Sequence, residues 1–177
     1  MLSDSEVRLE KPRVELAEEI RDALVESYSE HVEFLLWPEP EPCIEKVREN
    51  VQQAIYNFEN DVEEYRFLIL RNSDSKLVGT IGLLIIDLEI PYLEIGYWAR
   101  SSEQGKGYIG RAVEMLENYA QNELSVRRLE IRMAESNSRS RRVAERAGYT
   151  LEAKLHFDRK LPNGTIDNSL VYCKTYS

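Results

Sequence analysis

The stretch SSEQGKGYIGRA, residues 101–112, decides the fold. Its glycines at 105, 107 and 110 spell G-x-G-x-x-G, the fingerprint by which dinucleotide folds hold a pyrophosphate at a helix start. That fingerprint needs a strand running almost directly into the first glycine, inside a βαβ unit. Here Arg100 to Gln104 intervene after an apolar run that ends at Ala99. The segments upstream read as a meander, and the chain beyond Gly110 ends in a hairpin. Glu130 stands where the ribose-binding acid is sought, but within a strand pattern rather than at its end. The dinucleotide reading fails, and G-x-x-x-x-G-K-[ST] is absent as well. The physical content of the loop survives. A helix beginning near Gly107 exposes its first N–H groups, no Ser, Thr, Asp or Asn stands directly before it as a cap, and glycines let an anion approach closely. Turn geometry alone is the other reading of the glycines.

Outward from the loop, periodicity sets the elements. Val7 to Glu10 predicts a short strand, and Val14 to His31 a helix with Leu16, Ile20, Leu24 and Tyr28 on one face. The prolines of LLWPEPEP, 35–42, break that helix. A second helix covers Ile44 to Phe58, with Ile44, Val47, Val51, Ile55 and Phe58 in a stripe. Tyr65–Arg71, Leu77–Leu88 and Tyr92–Ala99, joined by short turns, predict an antiparallel meander. A helix over 107–122 buries Ile109, Ala112, Val113, Leu116, Tyr119 and Ala120. Arg127–Ala134 alternates as a strand, and Ser138–Arg146 is a helix stopped by Ala147-Gly148. Strands near 150–160 and 165–175 close the chain around Pro162-Asn163-Gly164. The expectation is an α/β (α+β) domain with a mixed sheet.

Composition narrows the function. With 42% apolar and 31% charged residues the chain reads as a globular domain, and no apolar run approaches the ~18 residues of a membrane span. The start lacks an apolar secretory segment, so cytoplasm is the expected compartment. Cys43 and Cys173 lie far apart and read as unpaired thiols. His31 and His156 stand outside any ligand motif, so no metal is expected. A net charge of −9 argues against nucleic acid and suits a basic partner, or solubility alone.

Two segments carry a family resemblance. EIGYWARSSEQGKGYIGRAV, 94–113, resembles the cofactor segment of the GNAT acyltransferase superfamily, Q/R-x-x-G-x-G/A, with Gln104, Gly105, Lys106, Gly107, Tyr108 and Ile109 in the loop. ESNSRSRRVAERAGY, 135–149, resembles its partner segment N-x-x-S-x-x-V…G-F/Y. The E-I-G-Y-W strand, the N-x-x-S and the terminal hairpin point to the RimJ/RimL-type branch, which acetylates protein N-termini. Ile109 stands where the wider superfamily has Gly or Ala. Ala144 stands where many relatives carry a tyrosine proposed as general acid, and Ser140 is the substitute the branch suggests.

The resemblance implies one GNAT domain over 1–177, a mostly antiparallel mixed sheet flanked by helices, and transfer of acetyl from acetyl-CoA to an amine. The pyrophosphate would sit on the amides of 104–109. The pantetheine arm would pair with the backbone of Trp98, Ala99 and Arg100, and Asn137 and Ser140 would reach the arm and thiol. A homodimer is a further family implication. The acceptor is a protein N-terminus, or alternatively a small amine such as a polyamine or aminoglycoside. A non-catalytic acyl-CoA-binding module is the rival from outside the enzymes.

Amine acetylation sets its own demands. An α-amine or lysine, with reference pKa values of about 8 and about 10, is mostly protonated at neutral pH. One proton must leave the amine and one must reach the thiolate. Glu94, on a strand face with Gly96 and Trp98, is the candidate base, best with its pKa raised by burial; a solvent-facing strand glutamate is the competing reading. Ser140 would donate to the thiolate, or else bond nearby backbone as helix-start serines do. A backbone amide of the third meander strand would polarise the carbonyl. No Cys or Ser with an adjacent His suggests a covalent intermediate. Trp37 would wall the acceptor pocket, with Glu39 and Glu41 either attracting a basic acceptor or simply solvated. Tyr149 reads as core.

Overall fold

The computed structural model describes residues 2–177. In chain order the elements are β1 (Leu2–Ser3), β2 (Val7–Glu10), a 3-10 turn (Val14–Leu16), α1 (Ala17–His31), α2 (Ile44–Asn60), β3 (Glu64–Arg71), β4 (Leu77–Asp87) and β5 (Tyr92–Ala99). A second 3-10 turn (Ser101–Glu103) leads to α3 (Tyr108–Leu124), β6 (Arg128–Ala134), α4 (Ser138–Arg146), β7 (Thr150–Lys160) and β8 (Ile166–Thr175). The sheet order is β1-β2-β3-β4-β5-β6-β8-β7. Every neighbouring pair is antiparallel except β5 and β6.

Alternation along the strands gives the sheet two apolar faces. One, with Ile69, Ile81, Leu83, Leu93, Ile95, Leu129 and Ile131, packs on Ala112, Val113 and Leu116 of α3. The other, with Leu68, Leu70 and Leu77, packs on Ala17, Ile20 and Ala23 of α1 and Val47 and Val51 of α2. The helical stripe of α2 buries Val47, Val51 and Phe58 as expected, with Ile44 and Ile55 half-buried at its border and Ala54 and Asn57 buried beside it. The stripe of α1 is rotated: Ile20 is buried as expected, but its buried companions are Ala17, Ala23, Ser27 and His31 rather than Leu16, Leu24 and Tyr28. Small side chains let α1 lie close to the sheet, and Ser27 Oγ accepts the Ser101 N–H at 2.9 Å. Ala144 is fully buried in the core, where a tyrosine would not fit, and Tyr149 is buried there too.

The feature that positions the site is the join of β5 and β6. Only Tyr92↔Arg128, Leu93↔Leu129 and Glu94↔Glu130 pair. Beyond Glu94, β5 stays with β4 as far as Ala99, while β6 stays with β8. The strands therefore part, leaving edge-like backbone within the sheet.

Candidate active site

The loop 104–107 is built around two left-handed glycines, Gly105 at φ 76° and Gly107 at φ 84°, a conformation that costs a side chain energy. Gly107 is the N-cap of α3 and no side chain caps the helix. Among the described residues, none of the N–H groups from Gly105 to Gly110 finds a backbone acceptor. Gln104 N–H differs from the expectation, since it donates to Ser101 O at 3.2 Å. The run of open amides is thus 105–110. Gly110 is informative for another reason: an added Cβ there would meet nothing within 4 Å. The packing of the fold leaves room for a side chain, and Gly110 itself lines the cavity that these amides border.

That cavity measures about 1190 Å³ and runs from the glycine loop past α4 and the end of β5 to the C-terminal end of α1. It brings together Trp98, Ala99, Gln104, Gly105, Gly107, Tyr108, Ile109, Asn137 and Ser140, which sequence singles out. The expected strand groups are corrected by parity. Arg100 N–H donates to Val78 O at 2.9 Å, and its guanidinium pairs with Glu26 at 2.6 Å. Backbone groups of Arg100 and Trp98 therefore point to β4, and those of Tyr97 and Ala99 point into the gap. Glu94, Arg100, Lys106 and Trp37 do not line the cavity. The Lys106 ammonium is held at 2.8 Å by Glu103, a buried carboxylate that also binds Arg71 and Lys76. Glu39 is likewise occupied, by Lys46 at 2.9 Å.

Asn137 Oδ1 accepts the Ser140 N–H at 3.0 Å and so caps α4. The cap orients Ser140, whose Oγ lies 2.8 Å from the Tyr97 hydroxyl. Sequence reasoning missed Tyr97. The signal was parity: residues alternate across β5, so Tyr97 stands on the α4 side while Glu94, Gly96 and Trp98 face α1 and α2. Burial pushes the Tyr97 phenol up to about 12, against the Ser140 hydrogen bond. It stays protonated at neutral pH and can supply a proton or a hydrogen bond where the gap opens.

Glu94 occupies the last paired position of β5, at the vertex of the gap and on its opposite face. Burial, foremost, and the neighbouring Glu130 push its carboxyl up, while Arg132 and Arg159 pull it down. The net direction is upward, as a base working near neutrality needs.

His31 was also missed. It is buried, and burial lowers its pKa, so the neutral ring donates from Nε2 to Ala99 O at 3.1 Å. The ring meets Trp98 edge-on at 5.3 Å and lies 6.3 Å from Trp37. Trp37 thus backs His31 and is 53% exposed on its other side.

The acetyltransferase (GNAT) domain family model matches residues 6–150. The probable N-acetyltransferase YjcK of Bacillus subtilis is 36% identical over 110 residues, 62% of this chain and 60% of that protein. The ribosomal-protein-serine acetyltransferase of Escherichia coli is 32% identical over 122 residues, 68% of this chain and 66% of that protein. These matches span under two thirds of either relative. The microcin C7 self-immunity acetyltransferase MccE, solved with acetyl-CoA and AMP, superposes with a TM-score of 0.89 at 25% identity, over 98% of this chain and 94% of that one. RimL, the ribosomal L7/L12 alpha-N-protein acetyltransferase solved with coenzyme A, gives 0.89 at 22% identity, over 97% and 95%, a likeness of fold.

Proposed function

The chain belongs to the acetyltransferase (GNAT) domain family, and from that premise we propose that it transfers acetyl from acetyl-CoA to a primary amine, the α-amine at the start of a protein chain. The observation that carries this reading is the run of open amides at 105–110 bordering a cavity that continues into the gap between β5 and β6. Six N–H groups at a helix start suit a pyrophosphate. Arg142 and Arg146, which line the same cavity, offer charge for a further phosphate. The open backbone groups of Tyr97 and the N–H of Ala99, whose carbonyl is taken by His31, can bond an extended amide arm as a strand would. The similarity to the E. coli ribosomal-protein-serine acetyltransferase supports a protein N-terminus as acceptor.

Acetyl-CoA supplies an activated thioester; the rest of the chemistry falls to side chains. Glu94, with its raised pKa, takes the proton of the ammonium, directly or through water. Tyr97 and Ser140 form a hydroxyl pair that delivers a hydrogen bond and a proton to the departing thiolate. Asn137 holds Ser140 in place through the cap. The two sides lie on opposite faces of β5, so amine and thioester meet within the gap.

The test is thiol release from acetyl-CoA against peptides beginning with Ser or Ala, spermidine and an aminoglycoside. Saturable release with a peptide is expected. Release with the small amines alone would overturn the N-terminal acceptor. Silence in protein that binds acetyl-CoA would favour a binding module.

A further inference from the structure

Glu94 has company on its own face of the sheet. Glu130 is opposite it in the last parallel pair. Two residues on, Arg132 shares the parity of Glu130 and stands on that face where the strands separate. Across β6, Ala134 pairs with Ser169 of β8, and Arg159 of β7 donates from Nε to the Ser169 hydroxyl at 3.1 Å. Arg159 therefore reaches over the same face from the other side. Among the described residues neither guanidinium closes an ion pair, although Arg159 stands opposite Asp167 in the β7–β8 register and, behind the Ser136 hydrogen bond, helps to lower that carboxyl's pKa. Both arginines act on the Glu94 carboxyl, and neither closes on it.

A second feature sits beside Arg159. The β7–β8 register slips between Leu155 and Arg159, and Phe157 in that bulge takes φ 55°, an outlier for a bulky side chain. Side chains hold it there. Phe157 N–H donates to Asn168 Oδ1 at 2.9 Å, Asn168 Nδ2 donates to Glu135 at 2.6 Å, and Ser169 N–H donates to Asp158 Oδ1 at 2.9 Å. The ring so fixed is 78% exposed. An aromatic held in strain and left in solvent two residues from a guanidinium has the character of a ligand clamp.

We infer that Arg132 and Arg159 form an anion subsite beside the point of amine entry, so that the preferred acceptor is a protein N-terminus with a carboxylate side chain at its second or third residue. The inference rests on the amine entering over Glu94. An extended chain advances about 3.3–3.6 Å per residue, so a carboxylate one or two residues behind the amine can reach a guanidinium adjacent to Glu94. Arginine forks suit carboxylates. On this inference the basic acceptor that a net charge of −9 suggests is the wrong kind.

The test titrates the CoA-saturated protein with short peptides beginning Ser-Glu, Ser-Gln, Ser-Lys and Ser-Ala-Glu, and measures kcat/KM for the same set. An acidic peptide should bind and react on the order of tenfold better than its Gln counterpart, with Ser-Lys weakest. Arg132→Gln should bring the Glu-to-Gln ratio towards one, and Arg132→Lys, which keeps the charge but not the fork, should retain part of it. Equal use of the peptides, a preference for Ser-Lys, or a ratio that survives Arg132→Gln combined with Arg159→Gln would overturn the inference. Failure of the underlying reading looks different: the acidic peptide binds preferentially but no peptide is acetylated. In that case the anion subsite stands and the N-terminal acceptor falls.

Discussion

Replacing Tyr97 by Phe removes one hydroxyl from the mouth of the gap and leaves the ring in place. The hydroxyl lies 2.8 Å from Ser140 Oγ, and Asn137 fixes Ser140 by its N–H. If the two hydroxyls relay one proton to the thiolate, removing either breaks the same delivery. A hydrogen bond to a charged group contributes about 1.5–3 kcal/mol, which is roughly a 10- to 150-fold loss in kcat. Ser140→Ala should cost a similar factor. The double variant should lose little more than either single one, a coupling of the same size as the single losses. The assay is thiol release at saturating acetyl-CoA and acceptor, with unfolding midpoints to show that each variant folds. With the phenol near 12, Tyr97 contributes no ionisation to the profile around neutral pH. Independent, additive losses in the double variant would refute the relay. So would a kcat within about twofold of the parent in either single variant, since coupling energies of interacting pairs exceed that.

Glu94→Gln should lower kcat by about 10²- to 10⁴-fold. The raised pKa places the acidic limb of the parent rate profile above the ordinary carboxylate range, with activity lost as pH falls through it; this limb should vanish in the variant. The same shift means that ionising Glu94 costs folding stability, so Glu94→Gln should gain stability above that limb relative to the parent, as chemical denaturation would show. Gly110→Ala fills open space near the start of α3, so it should leave the unfolding midpoint unchanged or raise it, while weakening acetyl-CoA binding measured by calorimetry. Unaltered binding would mean that nothing approaches that face. Leu116→Ala, at a fully buried position, should cost about 2–5 kcal/mol in denaturant unfolding.

What sequence made legible follows from the range of the forces involved. Val47, Val51 and Phe58 repeat within one helix, and Leu129, Ile131 and Met133 within one strand, so local periodicity reveals their burial. In α1 hydrophobicity points one residue astray, because close approach to the sheet selects Ala23, Ser27 and His31 over Leu24 and Tyr28. Glu130 reads as solvent-facing but is 3% exposed, held by Arg128. β1 spans two residues, too few for any period. At the site, the glycine loop and the N-x-x-S segment are contiguous and therefore readable. The pairing of Tyr97 with Ser140 joins residues 43 apart, and the contact of His31 with Ala99 joins residues 68 apart. Neither leaves a trace in spacing. The parting of β5 and β6 is a difference in register between two strand pairs, which no single segment encodes.

That parting has a mechanical consequence. Three residue pairs make up the strand pairing between the five-strand block β1–β5 and the three-strand block β6–β8–β7, with α3 packed across both, and they lie at one end, like the rivet of a pair of tongs. Leu93 faces Leu129 across the rivet, both fully buried. A small rotation of one block on the other would leave Glu94 almost where it was and would be largest towards Ala99, the tip of the jaw, against the restraint of the Tyr97–Ser140 hydroxyl contact that bridges the jaws. In the proposed mechanism the proton acceptor therefore lies at the pivot, and packing at Leu93 and Leu129, which do not line the cavity, bears on the width that an arm inserted between the jaws encounters.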